Sequence, residues 1–233
     1  MKERFSQYGI FPTEKQIKQL DQYFDLLIEW NKKINLTSII EKEEVFWKHF
    51  LDSSFVMLSD LWKKEKNAKI LDVGTGAGFP GMVLAILNPE KRFVLLDSLK
   101  KRIDFLLLVI QKLNLDNVQV YHGRAEAFAR KMEFRNQFDF VVSRAVAELP
   151  ILLEYCIPFV KRDGYFISYK GKKQEEEIRR SVRAFTELSA KFDHMEEYQL
   201  RENEKRVLLY IKNQSETNEK YPRREGKPKK KPL

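Results

Sequence analysis

Asp72, Gly74, Gly76 and Gly78 stand at alternate positions in KILDVGTGAGFPG, residues 69–81. Apolar residues precede Asp72, and an apolar stretch from Met82 to Leu87 follows Gly81. The pattern predicts a strand, a tight glycine turn and the start of a helix, which together form the entry to a βαβ nucleotide site. Glycine suits such a turn because a Cβ would hold a ligand away from the main chain. Gly76, Gly78 and Gly81 also spell G-x-G-x-x-G. Asp97 follows at roughly 20 residues, where a dinucleotide site carries its ribose carboxylate. Asp97 could equally cap the helix that begins LKKRIDF.

The glycines and Asp97 suit any adenosine ligand, whereas Asp72 discriminates. A carboxylate facing the ligand would repel a pyrophosphate and suit a cationic amino-acid end. S-Adenosylmethionine has an ammonium, a sulfonium and no phosphate. The D-x-G-x-G-x-G pattern resembles the first motif of the Rossmann-like methyltransferases. An NAD site remains the alternative, as does a simpler role for Asp72 as a cap on the turn.

Alternating patterns after Ala68 place these residues in a larger frame. Strands are expected near 69–73, 92–97, 117–123, 138–146 and 164–170, with helices between them. A charged helix is expected over 174–190. Two closing strands, near 192–200 and 206–212, should pair antiparallel across the turn RENEK. The expected fold is α/β, a Rossmann-like class I methyltransferase. Its seven-stranded sheet is mostly parallel, with an antiparallel edge hairpin and an N-terminal helical extension. Residues 1–62 are read as the helical cap, 63–213 as the cofactor-binding domain and 214–233 as a basic tail. In the cap, Thr13 and Gln16 form a capping box before an amphipathic helix, and a second helix is expected over 41–61. His49 and Asp52 lie three apart in that second run and are read as packing or surface residues. No metal site is expected there.

Composition narrows the class. Hydrophobic residues make up 43% of the 233, enough for a packed core. The single cysteine, Cys156, allows no disulfide framework within one chain, which fits a reducing cytoplasm. No stretch is apolar and long enough for a membrane span. The net charge is +9, and seven Lys or Arg against one Glu fall between Lys220 and Leu233. Such a tail attracts polyphosphates, and its prolines make a regular helix improbable. Truncation after Lys212 is therefore expected to weaken RNA binding and spare the cofactor.

In an open α/β sheet the ligand lies at the carboxyl ends of the strands. Phe79 could pack beside it, and Ala125 and Glu126, after the third strand, could read an adenine. Arg144 ends the fourth strand, at the mouth. Lys170 ends the fifth strand, Lys172 follows it, and both could hold phosphates. SRAV stands where an exocyclic-amine methyltransferase would carry (N/D)-P-P-(Y/F). Cys156 lies in mid-helix, away from the strand ends, so C5 chemistry is set aside. A ring nitrogen with a free lone pair, such as guanine N7, needs no base.

NKKINLTSI, KHFLDS, LDVGTGAGFPG, DSLKKRIDFL, GRAE, VVSRAVAEL and YPRREGKPKK together resemble the bacterial small-subunit ribosomal RNA guanine-N7 methyltransferase G family, also called the glucose-inhibited division protein B family. The resemblance covers nearly the whole chain. It implies methyl transfer from S-adenosylmethionine to N7 of one guanine in 16S ribosomal RNA, releasing S-adenosyl-L-homocysteine. It also implies cofactor contacts at Gly74, Phe79, Ala125, Glu126 and Arg144. Lys100, Lys101, Arg102, Arg223, Arg224, Lys227, Lys229 and Lys230 are the further candidates for RNA contact. A cytoplasmic monomer acting on the RNA, free or in a small-subunit particle, is expected. A non-enzymatic RNA-binding assembly factor is the other reading.

Overall fold

The computed structural model describes every residue of the chain except 172, 173 and 203. Seven strands form one sheet: β1 (Lys69–Val73), β2 (Arg92–Asp97), β3 (Val118–His122), β4 (Phe138–Arg144), β5 (Val160–Lys170), β6 (Ala190–Gln199) and β7 (Lys205–Asn213). Their order is β3-β2-β1-β4-β5-β7-β6. β1 to β5 run parallel, and β7 lies antiparallel between β5 and β6. The expected sheet and its edge hairpin are both present. The order reverses between β1 and β4, so the crevice of a doubly wound fold opens there. Val73, Asp97, His122, Arg144 and Lys170 end their strands along one rim.

Side chains alternate between the faces of each strand. Ile70, Leu95, Phe140 and Ile167 pack under the N-terminal segments and the helices Gly81–Leu87 and Lys100–Leu113. Leu71, Leu96, Val141 and Phe166 pack against the helices Ala125–Phe128, Leu149–Cys156 and Val182–Glu187. Phe5, Leu20, Tyr23 and Leu27 belong to the first of these cores, so the N-terminal helices share one face of the sheet with the helices Gly81–Leu87 and Lys100–Leu113.

The helix Glu14–Ile34 has the expected capping box. Gln16 also donates to Ile86 O and Leu87 O, and Gln19 donates to Leu113 O. Two helices of the nucleotide fold thus have last-turn carbonyls satisfied by this helix. The second N-terminal run is not the continuous helix expected. It breaks into Lys42–Val45, a π-helical segment Phe46–Leu51, and the short turns Asp52–Ser54, Phe55–Leu58 and Asp60–Lys64. Phe46, Phe50, Leu51, Phe55 and Val56 are all buried, and a straight α-helix has no single face wide enough for all of them.

The tail also departs from expectation. Tyr221 and Pro222 are buried, and residues Lys227–Lys230 form one helical turn. No helix among the described residues is long and apolar enough to cross a membrane.

Candidate functional site

Two cavities open along the rim and share Gly74 and Ala147. The first, about 350 Å³, is lined by Val73, Leu96, Asp97, Ala125, Glu126, Val146 and Tyr155, among others. The second, about 510 Å³, is lined by residues including His49, Asp52, Gly76, Phe79, Arg144 and Lys170. Gly74 sits at the join with φ +72, and a Cβ there would lie 2.5 Å from Val146 Cγ2. Ala145 takes a left-handed φ of 57° and brings Val146 over the loop.

Asp97 and Asp72 divide the labour of holding the loop. Asp97 Oδ2 accepts from Gly76 N at 2.9 Å and from Arg102 Nη1 at 3.2 Å. Its Oδ1 accepts from Leu99 N at 2.9 Å. Asp97 thus both lines the first cavity and closes the turn that leads into the following helix, whose N-cap residue is Leu99. Asp72 lies beneath the loop and lines neither cavity. Its Oδ2 accepts from Thr75 Oγ1 at 2.7 Å and Gly81 N at 2.8 Å, the turn-capping role. Its Oδ1 is buried with no partner among the described residues. Burial raises this carboxyl to about 6 from its ordinary 3.8. Gly78 packs instead against the N-terminal helix, where a Cβ would sit 2.5 Å from the Tyr23 hydroxyl. That hydroxyl donates to Ala77 O.

The second cavity is built around Arg144. Its Nη1 donates to Asp52 Oδ2 at 2.5 Å and Lys48 O at 3.1 Å, and its Nη2 lies 3.3 Å from His49 Nδ1. Tyr198 donates its hydroxyl to Asp52 Oδ1 at 2.8 Å. His49 stacks on Phe79 with centroids 4.2 Å apart and planes 14° apart, and its Nε2 is 3.0 Å from Thr37 Oγ1. Burial, then the Arg144 charge, pushes the imidazole down to about 3, so it is neutral at pH 7. His49 and Asp52 are therefore wall residues of this cavity: the expected packing role is met by His49 on Phe79, and neither lies on an open helix surface. The signal was Lys48-His49 with Asp52 in KHFLDS, but only the π-helical segment and β4 bring them together.

The residues present fit S-adenosylmethionine. Apolar walls with three carboxylates, Asp97, Glu126 and Glu148, suit an adenosine in the first cavity. A Cβ on Gly76 would meet nothing within 4 Å, so a ligand can approach the loop there. Asp72, buried beneath the loop and outside both cavities, offers a ligand no direct contact and at most a negative charge behind the loop. Neutral His49 adds no charge that would oppose a sulfonium.

Of the cations assigned to RNA, Lys100, Lys101, Arg224, Lys227, Lys229 and Lys230 are exposed. Three others are held within the protein. Lys170 Nζ donates to Glu177 Oε2 at 2.6 Å and Ala147 O at 2.9 Å. Arg223 is bound bidentately to buried Glu154, and Arg102 to Asp97. Each meets a buried or half-buried carboxylate that needs a counter-charge, so an open phosphate-binding role does not fit them. Lys172 lies outside the described residues.

Among solved structures, a SAM-dependent O-methyltransferase from Thermotoga maritima shares the fold at TM-score 0.53 and 15% identity, over 80% of this chain and 71% of that one. The M. jannaschii protein TYW2, solved with AdoMet, matches at TM-score 0.51 and 17% identity, over 69% and 80%. The ribosomal RNA small subunit methyltransferase G of Desulfitobacterium hafniense is 48% identical over 94% of this chain and 90% of its own. That of Lactococcus lactis subsp. lactis is 44% identical over 98% and 95%. A profile of the family described as rRNA small subunit methyltransferase G matches residues 16–210. With that match over most of its length and these relatives over nearly all of it, the chain belongs to the rRNA small subunit methyltransferase G family.

Proposed function

We propose that the protein transfers a methyl group from S-adenosylmethionine to N7 of a guanine in 16S ribosomal RNA. The observation that carries this reading is the state of the titratable groups in the second cavity. Both Asp52 oxygens are taken, by Arg144 and Tyr198. His49 is held near 3, far from the pKa of an efficient base at neutral pH. A reaction that must remove a proton from its acceptor is poorly served by such a wall. Guanine N7 has a free lone pair and loses no proton.

When bound, S-adenosylmethionine supplies an electrophilic methyl on a sulfonium. The chain's own residues bind, orient and exclude water. Asp97 and Glu126 hold the adenosine half. The Gly74–Gly76 backbone and Phe79 hold the amino-acid half. Arg144, fixed by Asp52, offers donors to the acceptor base while leaving N7 free. Rate then comes from alignment and desolvation. The substrate is RNA within a small-subunit particle, met in the cytoplasm by a monomer.

The test is methyl-labelled S-adenosylmethionine with small ribosomal subunits from cells lacking this protein, followed by nucleoside analysis. A single labelled 7-methylguanosine is expected. Label on another atom would overturn the N7 assignment, and no label in subunits or naked RNA would overturn the acceptor.

A further inference from the structure

The basic tail is built into the cofactor half of the cleft. Arg223 gives its main-chain N to Glu154 Oε1 at 2.7 Å and its Nη2 to Oε2 at 2.6 Å. Glu154 is fully buried. Arg135 donates to Tyr221 O at 2.9 Å and Thr217 O at 2.6 Å, and Arg130 donates to Pro222 O at 2.5 Å. Tyr221, itself buried, donates to Glu187. Arg223 thus anchors the tail to the helix Leu149–Cys156, Arg130 and Arg135 to the segment after the helix Ala125–Phe128, and Tyr221 to the helix Val182–Glu187. The neighbour of Glu154 on its helix, Tyr155, lines the first cavity.

Beyond the anchor the tail reaches the cavity itself. Gly226 N donates to Glu126 Oε1 at 3.0 Å. Gly226 has φ +75, and a Cβ there would meet nothing within 4 Å, so the left-handed turn rather than crowding is what favours glycine. Arg124 pairs with Glu225. Lys229 joins Tyr155, Asp97 and Glu126 on the cavity wall. A cation there stands opposite a wall with several carboxylates. Lys220 is also paired, with Glu187 at 3.1 Å. An arm meant only for phosphates would not have its backbone held by two arginines and one of its own arginines locked on a buried carboxylate.

We propose that Tyr221–Lys230 is the outer wall of the adenosine half of the cofactor site. Gly226 N fixes the Glu126 carboxylate, and Lys229 contacts the bound adenosine. The proposal rests on the reading of this cleft as an S-adenosylmethionine site, and it reverses the expectation that the tail can be removed without loss of cofactor affinity.

The test is a titration of the full chain and three variants with S-adenosylhomocysteine and with 5′-methylthioadenosine, which lacks the amino-acid end. Truncation after Arg224 keeps the Arg223–Glu154 anchor and removes Gly226 and Lys229. It should weaken both ligands by the same factor, about tenfold, as expected for a lost hydrogen bond to a charged group and a lost contact. Lys229→Ala and Lys229→Glu change an exposed side chain and leave the fold intact. They should weaken both ligands in that order, with Lys229→Ala at about threefold. Unchanged affinity in the Lys229 pair overturns the contact, and unchanged affinity in the truncation overturns the wall. A full chain that binds neither ligand overturns the reading of the cleft instead.

Discussion

The two halves of the cleft are made in different ways. The adenosine half takes Val73, Asp97 and Glu126 from segments at or just after the ends of β1, β2 and β3. Each stands at the end of its strand or a few residues past it, so the βα turns set its place in the chain, and Glu126 is also held from afar, by Gly226 N. The other half takes Thr37 and His49 from N-terminal segments, Arg144 from β4 and Tyr198 from β6. Asp52, between Arg144 and Tyr198, ties three of these regions together. The strand-end residues of the first cavity are set by local turns, and its outer wall by the C-terminal segment. The acceptor half is a property of how the N-terminal cap packs on the sheet.

Gly74 belongs to both halves, and its replacement has the largest expected effect. Gly74→Val puts a β-branched residue at φ +72 and drives its Cβ to 2.5 Å from Val146 Cγ2. Affinity for S-adenosylhomocysteine should fall by about a hundredfold or more, measured by titration. Unchanged affinity would mean that the two cavities do not hold one ligand.

Asp52→Asn should separate the halves. The carboxamide can still accept from Tyr198, but the ion pair to Arg144 is lost. Single-turnover methyl transfer should drop by about tenfold while cofactor affinity changes by less than about threefold. Equal losses in both would make Asp52 a cofactor residue and blur the distinction. Arg144→Ala is harsher, because it leaves the Asp52 carboxylate, 5% exposed, without its counter-charge. It should destabilise the fold by about 3 kcal/mol, read from denaturant melts.

pH adds a second contrast, because Asp72, buried beneath the glycine loop, and His49, in the wall of the second cavity, are shifted in ways that work in opposite directions. Asp72 has its folded pKa raised, to about 6 from 3.8. Between those values the folded chain binds more protons than the unfolded one, so this group's contribution to stability falls as pH rises. Its full penalty, about 3 kcal/mol, is present above pH 6. His49 has its folded pKa lowered, to about 3 from 6.5. The unfolded chain then binds more protons, and stability is lost as pH falls from 6.5 toward 3. Asp72→Asn should therefore steepen the acid loss of stability relative to the parent, and His49→Gln should flatten it. Parallel melts from pH 4 to 7 measure both slopes, and a change of the opposite sign in either variant would refute the assigned burial.

The contrast between the two halves explains what could be read from the sequence. The glycine turn, Asp97 and the seven strands follow local patterns, and each stands within a few residues of its expected place. Asp72 stands where the pattern puts it along the chain but does not face the ligand as expected, since spacing does not reveal that Thr75 Oγ1 and Gly81 N take one of its oxygens. His49 and Asp52 look bland on an ideal helix, and a π-helical segment occurs there instead. Arg223 looks like one more tail cation because nothing local shows that Glu154, on a helix 69 residues away, is fully buried. Long-range charge pairing leaves no periodic trace.

The smallest effect is expected outside both halves. Lys101 is exposed on the first turn of the helix Lys100–Leu113, next to Arg102, which lines the second cavity. Lys100 shares that turn but already pairs with Asp104 at 2.9 Å. A phosphate contact by Lys101 would release about one counterion, so Lys101→Ala should weaken RNA binding modestly and lower the salt slope by about one. Lys100→Ala should lower it by less, since its charge is partly neutralised in the free protein. Both variants should bind S-adenosylhomocysteine as the parent does. Measuring RNA affinity from low to moderate salt decides the point: a slope unchanged by Lys101→Ala would move the RNA path to another side of the rim.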